Sequence, residues 1–292
     1  MTIDAPAPVN HAGGHEEGFA QTLRTDRWWL APFLTVLGLG SFIIYSTWAA
    51  LQGEHYWAGS YLSPLYSPPL FVPVGAELEG VAPLHHAWLG AWPLWWPSWL
   101  PQSPALFILV FPGTFRATCY YYRKAYYRSF FGTPAGCAVC PVKQKNYRGE
   151  TRLFLFQNLH RYALYFAVIF IGILTYDAVI SLWRENGAGQ QEFGIGVGSL
   201  VLFLNAILLG AYTFGCHSWR HLLGGRLDRF SPAGKPLWSY RIWRRITWLN
   251  ERHMLFAWLS LIWVGFTDFY VRMVSLGHIT DLNTWKFNIL GY

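Results

Sequence analysis

Charge is what this 292-residue chain has least of. Asp, Glu, Lys and Arg make up 13% of it, about half the share of a soluble domain, which excludes an ordinary solvated globule. One stretch lacks basic residues altogether. Between Gln52 and Pro104 there is no Lys or Arg, only Glu54, Glu77 and Glu79. No internal repeat is visible, and no RNA- or DNA-binding motif accompanies the net charge of +7, so nucleic acid is not expected as a partner. Residues 1–20 lack the basic and apolar regions of a signal peptide. They are polar, with Gly and His, and residues 1–23 are read as a disordered N-terminus.

What is present in quantity is apolar sequence in long runs. A helix needs about 20 apolar residues to cross ~30 Å of hydrocarbon, because lipid offers the backbone no hydrogen-bond partners. Residues 28–51 and 193–219 contain no Asp, Glu, Lys or Arg. Residues 105–122 contain only Arg116, residues 153–183 only Arg161 and Asp177, and residues 253–276 only Asp268 and Arg272. The expected fold is an all-α integral membrane protein with five transmembrane helices, at about 28–51, 105–131, 153–183, 193–222 and 253–276. Together they form a membrane domain over 24–278, followed by a tail at 279–292. The second helix is interrupted by Pro112 and Gly113, whose freed backbone groups neighbouring helices can satisfy. The 52–104 loop is rich in Pro, Trp and Tyr, so much of it is expected along the membrane interface.

Orientation follows from Lys and Arg. Segment 123–152 carries Arg123, Lys124, Arg128, Lys143, Lys145, Arg148 and Arg152. Segment 220–252 carries Arg220, Arg226, Arg229, Lys235, Arg241, Arg244, Arg245 and Arg252, and Arg24 and Arg27 precede the first helix. Only Arg184 and Lys286, with Arg272 near a helix end, fall on the other side. The positive-inside rule therefore puts the N-terminus in the cytoplasm of a plasma-membrane protein and the C-terminus outside. Its basic loops face anionic lipid headgroups or an acidic soluble partner.

That polarity gathers the chemistry. The second helix runs inward to Cys119, and the segment after it has Cys137 and Cys140. The third leaves the same side with His160, the fourth returns to Cys216, His217 and His221, and the fifth starts at His253. At 1.5 Å per residue, Cys119, His160, Cys216 and His217 lie within about one helical turn of depth. His217 and His221 share a helix face, while Cys216 projects roughly 100° from His217. Each feature has a plainer reading: a membrane cysteine as small apolar filler, a lone CxxC as a common spacing, a histidine near a helix end as a carbonyl cap. Their convergence in one leaflet, where ionisable groups are costly, points to a cofactor. His253 is read as interfacial, as are His55, His85 and His86 on the opposite side.

Two histidines across a bundle suit b-type haem, and two Cys plus two His suit a Rieske-type [2Fe–2S] cluster. The same set could hold structural zinc. Haem needs no cysteine, and thiols facing the cytoplasm are not expected as disulfides, so the cluster is favoured.

The strings RTDRWWL, FRATCYYYRKAYYRSFF, GETRLFLFQNLHRY, GILTYD and GCHSWRHLLGGRL, from about Arg24 to Tyr270, resemble the membrane subunit of the actinobacterial type-F succinate dehydrogenase. The resemblance implies a five-helix anchor for an iron–sulfur subunit, itself bound to a flavoprotein subunit. Electrons from succinate would then reach quinone, menaquinone or ubiquinone, in the membrane. It also implies a membrane-embedded Rieske-type [2Fe–2S] cluster. Depth favours Cys119, Cys216, His160 and His217 as its ligands, with Cys137 and His221 in reserve. No flavin-binding glycine motif is present, so no succinate-oxidising site is expected on this chain. Arg116, Asp177 and Asp268, with the hydroxyls of Tyr120, Tyr162 and Tyr176, are candidate quinone contacts. Ion pairs Asp177–Arg272 or Asp268–Arg116 are the competing reading. The alternatives are a di-haem cytochrome b subunit, or a membrane scaffold stabilised by metal.

Overall fold

The computed structural model describes residues 18–73, 79–142, 153–185, 189–224 and 238–285. The start of the expected disordered N-terminus, the basic residues Lys143, Lys145, Arg148, Arg152, Arg226, Arg229 and Lys235, and the end of the C-terminal tail lie outside the described residues. Among those described, four helices are long and apolar enough to cross a membrane. They are α1 (Leu30–Gln52), the greater part of α5 (Leu153–Ile180), α6 (Val197–Phe214) and α9 (His253–Ser275). α6 packs against both α5 and α9 and is half buried, whereas α1 lies at the edge with Leu34, Leu37, Ile43 and Ile44 exposed. Such an apolar outer face would be an aggregation hazard in water and is the normal surface of a helix in lipid. α1 ends where Gly53 adopts φ 70°, the left-handed turn that glycine takes without steric cost.

The segment expected as one helix over 105–131 is broken into α2 (Ala105–Ile108), α3 (Val110–Ala117) and α4 (Tyr120–Ala125), closed by a π turn at Tyr126–Phe130. Pro112 has no N–H to give the Ile108 carbonyl, and the helix yields there. The second break falls at Cys119, whose extended backbone (φ −67°, ψ 137°) starts α4. The helix expected over 193–222 likewise divides, with Gly215 and Cys216 between α6 and α7 (His217–Gly224). A further helix, α8 (Trp238–Glu251), lies in the basic segment. It turns Ile246 inward and leaves Arg244 and Arg245 exposed.

The two ends of the bundle differ. At one end, hairpins β1–β2 (Trp57–Ala58, Tyr61–Leu62) and β3–β4 (Trp183–Glu185, Gln191–Phe193) join the described residues of 53–73 and 79–103 in a packed cap. Tyr56, Tyr61 and Tyr66 are fully buried there, and the Tyr56 and Tyr66 rings stack 4.2 Å apart. Burial pushes the Tyr56 hydroxyl up to about 12. The Tyr66 hydroxyl donates to the Ala49 carbonyl and accepts from Gly53 N–H, fastening the cap to α1. Much of this loop, expected from sequence along the membrane interface, is packed against the end of the bundle. Trp88, Trp95 and Trp99 remain exposed at its rim. The cap also resolves the membrane ion pairs. Asp268 meets Arg272, four residues away on α9, at 3.6 Å and takes hydrogen bonds from Tyr45 and Ser63. Asp177 accepts from Ser67. Neither expected pairing, Asp177–Arg272 or Asp268–Arg116, forms.

At the basic end, the strap before α1 lies along the loop after α4. Ala20 N–H donates to the Cys140 carbonyl, and Cys140 N–H to that of Gln21. Arg24 donates to the Cys137 carbonyl and pairs with Asp26, holding that carboxyl below its usual range.

Candidate metal centre

Three interruptions in the helices converge at the basic end. Cys119 enters from the α3–α4 break, Cys216 from the α6–α7 break and His253 from the corner between α8 and α9; His160 projects from α5. All four side chains are buried. His160 Nε2 lies 3.1 Å from Cys216 Sγ, and His253 Nε2 lies 3.8 Å from Cys119 Sγ. They border a cleft of ≈ 550 Å³ whose rim includes Arg123, Asn158, Arg161 and Asn250.

The remaining contacts aim the imidazoles. His160 Nδ1 is 3.1 Å from the Phe115 carbonyl and 3.0 Å from Thr118 Oγ1. A carbonyl only accepts, so Nδ1 carries the proton and Nε2 is left with a bare lone pair, as a metal-binding histidine requires. Each ring is backed by an aromatic face. Phe115 stacks on His160 at 4.6 Å and 8°, and Tyr212 on His253 at 4.9 Å and 9°. His253 Nδ1 is buried on the Tyr212 side with no hydrogen bond of normal geometry. Phe115, Arg116 and Tyr212 form a layer between the polar cleft and an apolar cavity of ≈ 180 Å³ lined by Phe42, Leu109, Phe170 and Val264.

The family model of the actinobacterial succinate dehydrogenase subunit SdhC matches residues 30–277. The chain belongs to that family. It is 42% identical to a chain of the Mycobacterium smegmatis Sdh1 complex in the apo form, covering 95% of this chain and 98% of that one with a TM-score of 0.78. No curated protein matches. The family is that of a membrane subunit of succinate dehydrogenase, which agrees with the four apolar helices.

Of the residues singled out from sequence, Cys119, His160 and Cys216 come together. His217 lines the same cleft but starts α7 exposed to solvent, and His221 is exposed with Nδ1 3.4 Å from Arg161. His253, read as interfacial, is instead 4% exposed and completes the group of four. The break at Gly215–Cys216 starts α7 at His217, which stays on the exposed side of the cleft while Cys216 is buried. Cys137 is exposed on the strap loop and Cys140 half-buried there. The six candidate quinone contacts do not gather. Arg116 lies in the layer between cleft and cavity, Tyr120 is on the cleft rim, Tyr162 and Tyr176 are on the exposed face, and Asp177 and Asp268 are bonded into the capped half.

The donor set fits a two-iron cluster by its chemistry. Among the described residues no three His, Cys, Asp or Glu side chains converge to hold a single ion. Two thiols and two imidazoles are nonetheless the donor types of a Rieske-type [2Fe–2S] cluster, in which both thiolates bind one iron and both imidazoles the other, and also of structural zinc.

Proposed function

We propose that this chain is the membrane anchor and electron-transfer subunit of a succinate:quinone oxidoreductase. A Rieske-type [2Fe–2S] cluster would be held by Cys119, Cys216, His160 and His253. The observation that supports this most is the meeting of two thiols and two imidazoles, from four separate stretches of chain, in one cleft at the basic end. When bound, such a cluster takes up one electron at a time, at a potential raised by its two neutral imidazoles.

The chain's own residues do the rest. Phe115 and Thr118 fix the His160 tautomer, and the Phe115 and Tyr212 rings exclude water from behind the two histidines. The basic rim of the cleft, Arg123 and Arg161, suits an acidic face of the partner iron–sulfur subunit, which with its flavoprotein subunit would oxidise succinate. A quinone, menaquinone or ubiquinone, would take its electrons beyond the Phe115–Arg116–Tyr212 layer, with its ring in the apolar cavity. The broken α2–α4 segment would be the fifth span, with the N-terminus and the soluble partners on the cytoplasmic side of the plasma membrane. Haem is the weaker reading, because each imidazole here abuts a thiol.

Iron, acid-labile sulfide and the EPR spectrum of the purified complex test this. Wild type and His217→Ala should show a Rieske-type signal that His160→Ala and His253→Ala lack. A Soret band stoichiometric with this subunit would overturn the reading in favour of haem. Loss of the signal in His217→Ala but not His253→Ala would overturn the ligand set.

A further inference from the structure

Arg116 is a cation at membrane depth with no counter-ion among the described residues. Its guanidinium donates to the Tyr122 hydroxyl, to the Ala257 carbonyl at 3.2 Å and to Ser260 Oγ at 2.9 Å. It also lies over the Tyr212 ring, 4.8 Å from its centre. Every one of these partners is neutral. Among the described residues no carboxylate is within salt-bridge distance of it, and Asp268, two turns further along α9, is committed to Arg272. An uncompensated charge within a bilayer is costly and persists where function needs it.

The position of this charge indicates its use. Arg116 precedes Cys119 by three residues, and the Tyr212 ring beneath it is the one stacked on His253. The Tyr122 hydroxyl it binds also donates to the Ala257 carbonyl, one turn after His253. Arg116 thus stands on the dry side of the four-donor cleft, separated from His253 by one aromatic ring. Arg161 lies exposed on the open cleft, where water and salt screen it, and Arg123 is half-buried on the same rim. The group itself supplies the missing negative charge. With two thiolates, two sulfides and neutral imidazoles, a [2Fe–2S] centre sums to zero when both irons are ferric and to minus one after taking an electron.

We infer that Arg116 is the fixed counter-charge of the reduced centre, a positioning residue that raises its midpoint potential without ligating it. This rests on the cluster assignment above. Reduction brings the negative charge that Arg116 otherwise lacks, and in a low-dielectric surround that pairing is strong.

The test is an EPR-monitored redox titration of the whole purified complex. Arg116→Gln removes the charge and keeps donors; Arg116→Lys keeps the charge and loses the planar fork. Ser260→Asp leaves the arginine in place and neutralises it from 2.9 Å away. In Arg116→Gln and Ser260→Asp the reduction equilibrium should fall at least tenfold, which is 59 mV for one electron, while Arg116→Lys stays near wild type. An unshifted midpoint in Arg116→Gln overturns the inference, as does an equal fall in Arg116→Lys. If Arg116→Gln fails to hold iron, Ser260→Asp decides alone by the same criterion. Absence of a Rieske-type signal in wild type would instead sink the cluster assignment, so the two failures are distinguishable. A mere quinone contact at Arg116 would leave the midpoint unmoved.

Discussion

Replacing Asp268 with Asn would uncouple the cap from the bundle without changing side-chain volume. Asp268 has no exposed surface and Arg272 is almost as deeply buried, so solvent screens neither. At their 3.6 Å separation an effective dielectric near 20 gives about 4–5 kcal/mol of attraction. Removing one member of a buried pair costs about 3–5 kcal/mol, chiefly through the charge left behind. Here the orphan would be Arg272, retaining the Glu54 carbonyl at 2.9 Å and the Trp48 ring at 5.1 Å. Those contacts soften the loss, so about 3–4 kcal/mol is expected for Asp268→Asn and for Arg272→Met. Asp268→Leu combined with Arg272→Met should recover most of it, since a buried pair is seldom better than apolar packing. The assay is the fraction of complex still assembled after heating in mild detergent, with each single variant lowering the midpoint by on the order of ten degrees. Single variants within about two degrees of wild type would refute the reasoning. So would a double variant no better than the worse single one.

Thr118→Val removes one of the two groups facing His160 Nδ1 and leaves the Phe115 carbonyl. Iron loss to a chelator should quicken about tenfold, the lower end for outer partners of a metal-bound histidine; an unchanged rate would remove Thr118 from the tautomer argument. Cys137→Ser and Cys140→Ser should each keep the full complement of iron and sulfide, because the strap holds that loop outside the cleft. Loss of iron in either would reassign the thiolate ligands.

The apolar runs were legible in the sequence because lipid imposes a length and a purity on any helix that crosses it. Pro112 likewise announced a weak second helix. The breaks at Cys119 and Cys216 were hidden, since FRATCYYY and TFGCHSW contain no proline and depend on tertiary partners for their freed backbone groups. α8 escaped notice because RIWRRITWLNE reads first as a basic loop, although Ile242, Ile246 and Leu249 recur at helical spacing. Missing α8 concealed His253. Next to Arg252 a histidine looks interfacial, yet Tyr121 of α4 and Tyr212 of α6 pack against its ring at the corner where α8 turns into α9. Three of the four side chains proposed as donors were thus readable from membrane polarity, while the burial of the fourth depended on contacts that polarity does not encode.

One such contact runs through Gly215. A Cβ built there would lie 2.7 Å from the Ala211 carbonyl oxygen of α6, 3.0 Å from the Leu249 carbonyl oxygen and 3.2 Å from its carbon, closer than most real side chains approach backbone. The end of α6 and the end of α8 therefore touch main chain to main chain, and Asn250 closes the contact by donating to the Gly215 carbonyl at 2.9 Å. Broken backbone at membrane depth is tolerated only where protein or a lined cavity satisfies it, so this bond is part of what permits the break that presents Cys216. Gly215→Val would strain the last turn of α6 against the Ala211 carbonyl and press α8 outward, at a cost of about 1–3 kcal/mol, too little to prevent insertion of helices of this apolarity. His253 follows Leu249 by four residues and would move with it, while His160, held from α5, would not. The expected result is a complex that assembles with normal flavin content but loses iron and the Rieske-type signal. Asn250→Ala, which removes the bond without the clash, should give partial loss. Full iron with an unchanged EPR spectrum in Gly215→Val would mean that the α6–α8 contact does not place His253, and the fourth ligand would then have to be sought elsewhere in the cleft.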